Sequence, residues 1–550
     1  MTDIDAARRE KMFPRLSPAQ MERLAPLGRR LRMERGQIVF EQGAVLPDFF
    51  VVLSGTLEIV QLADGKEVPI TVHEPGQFTG EANMLTGRRS LVRARMLEPG
   101  ELLVISSEAL RKIVHSDVVV SDVLMRAFIL RRLALIAEAR GDSILIGSSH
   151  SAATLRLREF LTRNGQPHTY FDVDKDPEVQ GLLDRFGVRV EDVPVVICRY
   201  QKVLKSPSNE EVAECLGMVE NLDPAKVHDL IVVGAGPAGL AAAVYGASEG
   251  LDVLVLESDS PGGQAAFSSK IENYLGFPTG VSGIDLAGRA SSQALKFGAE
   301  IAVARTAIRL RCQSPLATVE LAGGGSVVGR SLVIATGVQY RKLPLANLSR
   351  FEGVGVYYGA TPMEAQLCEG DDVLIVGGGN SAGQAAVFLG ERARKVRILV
   401  RGPGLKETMS RYLIQRIEES RNIKVDARHT VVALEGDGRL ERVQIRDEAA
   451  GRTEAHAARH LFLMTGASPH TEWLKGCVAL DEKGFVKTGP DLGRYDLQGW
   501  PLARAPYLLE TNIPAVFAVG DVRAGSVKRV ASAVGEGSIC IQLVHRALAE

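Results

Sequence analysis

The chain has 550 residues, a formal net charge of −1, 45% hydrophobic and 24% charged residues, and 56 glycines. This balance predicts a multidomain α/β protein with length for about three to five domains, and it excludes a polybasic surface for nucleic acid or membrane. No apolar run reaches ~18 residues free of charge, so no membrane-spanning helix is expected.

Residues 1 to about 140 alternate apolar and polar side chains between glycine turns. Gly36-Gln-Ile-Val-Phe-Glu-Gln-Gly43 and Phe49-Phe-Val-Val-Leu-Ser-Gly-Thr-Leu-Glu-Ile-Val60 read as strand–turn units of a small β-roll. Gly76-Gln-Phe-Thr-Gly-Glu-Ala-Asn-Met-Leu85 and Arg88-Arg-Ser90 follow. The region resembles a cyclic-nucleotide-binding domain. The resemblance implies a ligand set of Gly80, Glu81, Ala82, Arg89 and Ser90, with the glutamate on a ribose hydroxyl and the arginine on the cyclic phosphate. The stretch from Glu81 to the arginine is shorter than that family's cassette and lacks its Arg-x-Ala-Thr ending, so a roll kept for packing or dimerisation is the alternative. A helical run from Asp117 to Arg140 carries Val118, Leu124, Phe128, Leu135 and Ile136 at apolar spacing. It either pairs two subunits or packs on the chain's own roll.

Ser143-Ile-Leu-Ile-Gly147 reads as a buried strand, followed by a turn and an amphipathic helix to Leu161. Thr169-Tyr-Phe-Asp-Val-Asp174 is a second strand, Val179 to Gly187 a helix, and Val193-Pro-Val-Val-Ile197 a strand opened by proline. This order resembles a glutaredoxin-like thioredoxin fold, which implies a cis Val193–Pro194 bond. Ser148-Ser-His-Ser151 stands where that family carries Cys-x-x-Cys, and His150 is read as a turn residue.

Two dinucleotide fingerprints come next. Leu230-Ile-Val-Val-Gly-Ala-Gly-Pro-Ala-Gly239 joins a buried strand to a helix, with Gly234, Gly236 and Gly239 in the three glycine roles and Pro237 and Ala238 opening the helix. The next strand ends at Glu257, placed for an adenosine ribose hydroxyl. Val373-Leu-Ile-Val-Gly-Gly-Gly-Asn-Ser-Ala-Gly383 is the second fingerprint: Gly377 and Gly379, then Asn380 and Ser381, with Ala382 in the third glycine's role. Its following strand ends in Arg401, a base able to accept a 2′-phosphate, which favours NADPH over NADH. The segment resembles that of the thioredoxin reductases, which implies Lys406 as a further basic position, with Gly402 in place of one arginine.

From 225 to 550 the chain resembles a low-molecular-weight thioredoxin reductase. The resemblance implies FAD at the first fingerprint and a nicotinamide at the second. It places Gly263 and Gln264, Asn273, Ala335-Thr336-Gly337, Gly520-Asp521, and Val530 and Ala531 around the flavin. It also exposes a loss: that family's Cys-Ala-Thr-Cys is here Gly359-Ala-Thr-Pro362. None of the six cysteines makes a Cys-x-x-Cys or a zinc spacing, and Cys368 reads as a small buried or surface thiol, with a redox role the alternative. The cysteine pattern leads us to expect a reducing, cytoplasmic compartment and no disulfide scaffold.

The sequence therefore predicts a cyclic-nucleotide-binding-like unit (1–140), a glutaredoxin-like unit without its cysteine pair (143–218), an FAD unit (225–344 and 473–550) and an NAD(P) unit (345–472). The expected activity is hydride transfer from NADPH to FAD and on to an unidentified acceptor, which includes a protein, in a homodimer open to regulation by a cyclic nucleotide. No acid–base residue is assigned and no metal is expected. A thioredoxin reductase working through non-standard cysteines, and a flavin- or nucleotide-dependent redox sensor, are the competing readings.

Overall fold

The computed structural model describes residues 6–550, apart from 45–47, 64–65, 80–89, 91, 138–142, 150, 177–178, 180–182, 184–188, 190–191, 199–201, 220–221, 269 and 313–315. Near the N-terminus, strands Gly28–Met33, Arg93–Ser106, Asp48–Ala63 and Lys66–His73 pair in that order, and Ile38–Phe40 joins Arg93–Ser106. The helix Val118–Ala137 closes this roll. Phe128 lies edge-on to Phe49 and to Phe78, with centroids 6.2 Å apart in each pair, and Leu124 is buried beside them. Of the two expectations for this helix, packing on the chain's own roll describes Leu124 and Phe128. The expected ligand residues Gly80, Glu81, Ala82 and Arg89 lie outside the described residues. Ser90 is buried and its hydroxyl donates to the Val92 carbonyl (2.7 Å).

The next sheet has the order Thr169–Asp172, Ser143–Gly147, Val195–Cys198, Lys202–Lys205; the first pair is parallel and the other two antiparallel. The Val193–Pro194 bond is cis, as expected. The helix Ala152–Arg163 starts at Ser151, whose hydroxyl accepts from the Thr154 N–H (3.4 Å). His150 lies outside the described residues. Leu157, Phe160 and Leu161 of this helix share one apolar core with Leu230, Ala243 and Ile541. The unit is thus packed onto the first fingerprint's sheet by the burial that stabilises each alone.

That sheet runs Glu300–Val303, Val253–Glu257, Val227–Val233, Ser326–Ile334, Ala317–Leu321, Ala307–Arg311. Its first four strands are parallel, and Val516–Ala518 returns from near the C-terminus to pair with Ser326–Ile334. A second, wholly parallel sheet has the order Val356–Tyr357, His460–Leu463, Asp372–Val376, Lys395–Val400, Ile423–Ala427. Near-continuous apolar runs such as Leu230–Val233 and Val373–Val376 suit strands covered on both faces. The two sheets communicate through a two-stranded crossing, Val338–Tyr340 against Ala467–Pro469.

The structure corrects the expectation of no disulfides. Cys198 pairs with Cys215 (Cα–Cα 6.3 Å), and Cys312 with Cys477 (Cα–Cα 5.6 Å). Short-range spacing could not reveal these pairs, because the fold creates both. Cys198 ends a strand against which the helix ending at Cys215 packs, and the other pair spans 165 residues. Cys368 and Cys540 are free and buried.

Candidate functional site

The first fingerprint forms because bare backbone is the only thing that fits at its turn. Gly234 has φ +103°, and a Cβ there would stand 2.4 Å from the Ala335 carbonyl oxygen. A Cβ on Gly239 would lie 1.8 Å from the Gly234 carbonyl oxygen, so the helix Pro237–Ser248 presses directly on the turn. Gly236 and Gly263 face each other: a Cβ on Gly263 would come within 3.0 Å of the Gly236 Cα. Gly236 is the N-cap and offers no side chain to the free N–H groups behind it.

Gly234, Gly236 and Gly263 form one wall of a cavity of about 1220 Å³. Of the expected flavin-side residues, Gly234, Gly236, Pro237, Ala238, Glu257, Gly263, Gln264, Asn273, Ala335, Thr336, Gly337, Asp521, Val530 and Ala531 all line it. Gly239 and Gly520 stand outside the lining and hold it in place; the Gly520 N–H donates to Glu536 (2.7 Å), which also receives Arg523 (2.6 Å). Gln264 is fixed by donating to the Val338 carbonyl (2.6 Å), and Thr336 by donating to the His470 carbonyl (2.8 Å).

Glu257 is buried, and burial raises its proton affinity while two backbone donors oppose the shift. Those donors are the N–H groups of Ala235 (2.8 Å) and Asp259 (3.0 Å), so this carboxylate braces the glycine turn as well as facing the cavity. Burial also raises the Asp521 carboxyl and lowers the Lys528 ammonium, and each opposes the other's shift. Lys528 donates to the Asp521 carbonyl (2.6 Å).

The second fingerprint repeats the physics. A Cβ on Gly377 would meet the Met464 carbonyl oxygen at 2.3 Å, and Gly379 caps the helix Asn380–Gly390. Ala382 is fully buried beneath it. Asn380 and Ser381 line the same cavity as Gly236 and Asp521. Tyr340 stands between them: burial raises its proton affinity, a hydrogen bond with Ser381 lowers it, and Asp521 raises it again. Arg401 and Lys406 are exposed and lie outside this cavity.

Sequence reasoning missed Arg163, Tyr340, Gln384, His470, Trp473 and Lys528 in the lining. Tyr340 ends one crossing strand and His470 follows the other, and Ala335-Thr-Gly337 just upstream could have pointed to Tyr340. Arg163 had no signal, because it comes from the preceding unit.

Gly359 and Pro362 do not line the cavity. Gly359 packs against Phe267, and Ala360 pairs with Ser268. Cys368 is fully buried, and burial pushes its thiol far above the ordinary range. Among the described residues there is no cluster of His, Cys, Asp and Glu able to hold a metal, and no helix long and apolar enough to cross a membrane.

Residues 228–537, more than half of the chain, match the family model for pyridine nucleotide-disulphide oxidoreductases. The chain belongs to that family. It is an oxidoreductase of the pyridine nucleotide-disulphide class, and its residues 30–117 match the model of a cyclic nucleotide-binding domain. It is 31% identical over 329 residues to the thioredoxin reductase of Mycolicibacterium smegmatis, covering 59% of this chain and 97% of that one. It is 28% identical to a 34.2 kDa protein in the rubredoxin operon of Clostridium pasteurianum, covering 58% and 96%. Among solved structures it resembles Lactococcus lactis thioredoxin reductase in the FR conformation, with TM-score 0.53 and 26% identity over 58% of this chain and 99% of that one. The T. acidophilum thioredoxin reductase gives TM-score 0.52 and 28% identity, over 59% and 99%.

Proposed function

We propose that the chain binds FAD at the first fingerprint and NADPH at the second, and passes the electrons to an acceptor without a dithiol of its own between them. The observation that carries this reading is the single cavity lined by Gly236 and Asp521 at one end and by Asn380 and Ser381 at the other. A flavin supplies, when bound, a hydride acceptor that a second substrate can reoxidise. The chain's own part is placement. Bare glycine backbone and helix N-termini suit two diphosphates. The helix Val530–Leu548 presents its N-terminus to the cavity, where it favours developing negative charge. Phe267, Tyr274 and Tyr340 line the walls and restrict water.

Three features support a reading without a relay: Gly359 and Pro362 carry no sulfur, Cys368 is a thiol whose burial favours the protonated form, and the paired Cys198, Cys215, Cys312 and Cys477 are not in the cavity lining. The four-unit division, preference for NADPH over NADH, a cytoplasmic site of action, a homodimer, a protein acceptor and control by a cyclic nucleotide belong to the same proposal. The test is direct. Protein purified with FAD is expected to be yellow, and NADPH under anaerobic conditions to bleach it with no disulfide substrate present. A protein that takes up no FAD overturns the reading, as does robust NADPH-dependent reduction of thioredoxin.

A further inference from the structure

The helix Ala152–Arg163 belongs to the unit that precedes the oxidoreductase, yet its last residue lines the oxidoreductase cavity. The Arg163 side chain is 8% exposed. One guanidinium nitrogen is 3.2 Å from the Asp259 carboxylate and 3.5 Å from Glu159, and the other donates to the Gly263 carbonyl (3.2 Å). The guanidinium carbon lies 4.3 Å from the Phe267 ring centroid. Nε is buried with no hydrogen-bond partner. A buried donor left unpaired is costly, and costlier on a cation.

Its surroundings sharpen the problem. Arg163 lines the cavity together with Gly236 and Gly263, where backbone is bare, and with Pro237, the first residue of a helix whose N-terminus carries partial positive charge. A cation and a helix N-terminus at one wall oppose each other unless an anion lies between them. Asp259 balances part of the charge, but it is also held by Asn209 (2.8 Å) and does not reach Nε.

The geometry points to Arg163 as a residue that holds the diphosphate of the dinucleotide in the first site, so that the thioredoxin-like unit completes the cofactor's binding site. This rests on the proposal that the first site takes FAD. An arginine suits the task because its planar fork keeps donors available after Asp259 and Gly263 are served.

The experiment titrates FAD into the apo form of the full chain and follows flavin fluorescence, with apo melting temperature as a control for folding. Arg163→Met is expected to weaken FAD binding about 10- to 100-fold, the range of a lost charge-assisted contact. Arg163→Lys, which keeps the charge and the fold, is expected to lose part of that. Asp259→Asn separates the two roles of the arginine. If Arg163 serves the diphosphate, Asp259→Asn leaves FAD affinity unchanged or improves it. FAD affinity within about twofold of the parent for both Arg163 variants overturns the inference, as does an Asp259→Asn loss equal to that of Arg163→Met. A parent chain that binds no FAD defeats the functional reading instead.

Discussion

The carboxyls of Glu159, on the helix Ala152–Arg163, and Glu364, on the helix Pro362–Leu367, act on each other across the seam between the four-stranded sheet's unit and the second parallel sheet. Burial is the larger cause and carries Glu159 up to about 7, with Arg163 opposing and Asp259 adding to the shift. Glu364 is itself raised by burial, against the Thr361 N–H (2.9 Å) and hydroxyl and the charge of Arg158. Both carboxyls thus bind protons more readily at this junction than a free glutamate does, chiefly because they are buried.

The junction is therefore expected to weaken with alkali. A raised carboxyl means that the folded chain binds more protons than the unfolded one between the usual glutamate range and about pH 7. Its stabilising share is full below that range and lost as pH rises through 7. The melting temperature of the parent is expected to fall across this window and that of Glu159→Gln to fall less, with the variant ahead at pH 8. Parallel profiles for the two proteins would show that the pair does not govern the junction.

Coenzyme choice is expected to rest on Arg401, which follows the strand Lys395–Val400 as an exposed base. Arg401→Ala should raise KM for NADPH about tenfold, the weight of one charge-assisted contact, and leave KM for NADH within about twofold. Equal effects on both coenzymes would remove the arginine from 2′-phosphate recognition.

The bridge between Cys312 and Cys477 closes a loop containing the whole second nucleotide-binding sheet. A protease cut at an exposed site such as Asp437-Gly438 should leave two fragments that co-migrate without reductant and separate with it. Separation under both conditions would show that these thiols are unpaired in solution.

Cyclic nucleotide control can be checked by calorimetry together with flavin reduction. A cyclic nucleotide is expected to bind and shift the rate of flavin reduction by NADPH, and Arg89→Ala to abolish the shift with flavin retained. No binding at millimolar ligand would leave the roll a packing or dimerising unit.

Much of the cavity was legible because its requirements are local. Gly234, Gly236 and Gly377 stand in a strand–glycine–helix order that announces them, although the carbonyls that exclude a side chain at Gly234 and Gly377 belong to the distant Ala335 and Met464. Glu257 was found by position, but its bracing of Ala235 and Asp259 was not, since that depends on how the turn folds back. The disulfides and Arg163 were invisible for one reason: each joins residues that only tertiary packing brings together. The roll's helix shows the same limit, because Leu124 and Phe128 carry the same apolar spacing whether they face Phe49 and Phe78 or a second subunit.

The packing of Gly359 bears on whether a thiol could be accommodated at that position. A Cβ at 359 would stand 2.8 Å from Cδ1 of Phe267 and 3.2 Å from its Cβ, in a place closed by the pairing of Ser268 with Ala360. Overpacking of this kind typically costs about 1–3 kcal/mol. Replacing the glycine by cysteine would incur that cost, and a single thiol near Pro362 in sequence supplies no dithiol chemistry. A dithiol at these positions would need a second cysteine in place of Pro362 and a shift of the Phe267 side chain. The space around residue 359 is thus shaped for a glycine, and it accommodates an electron outlet other than a thiol at that position.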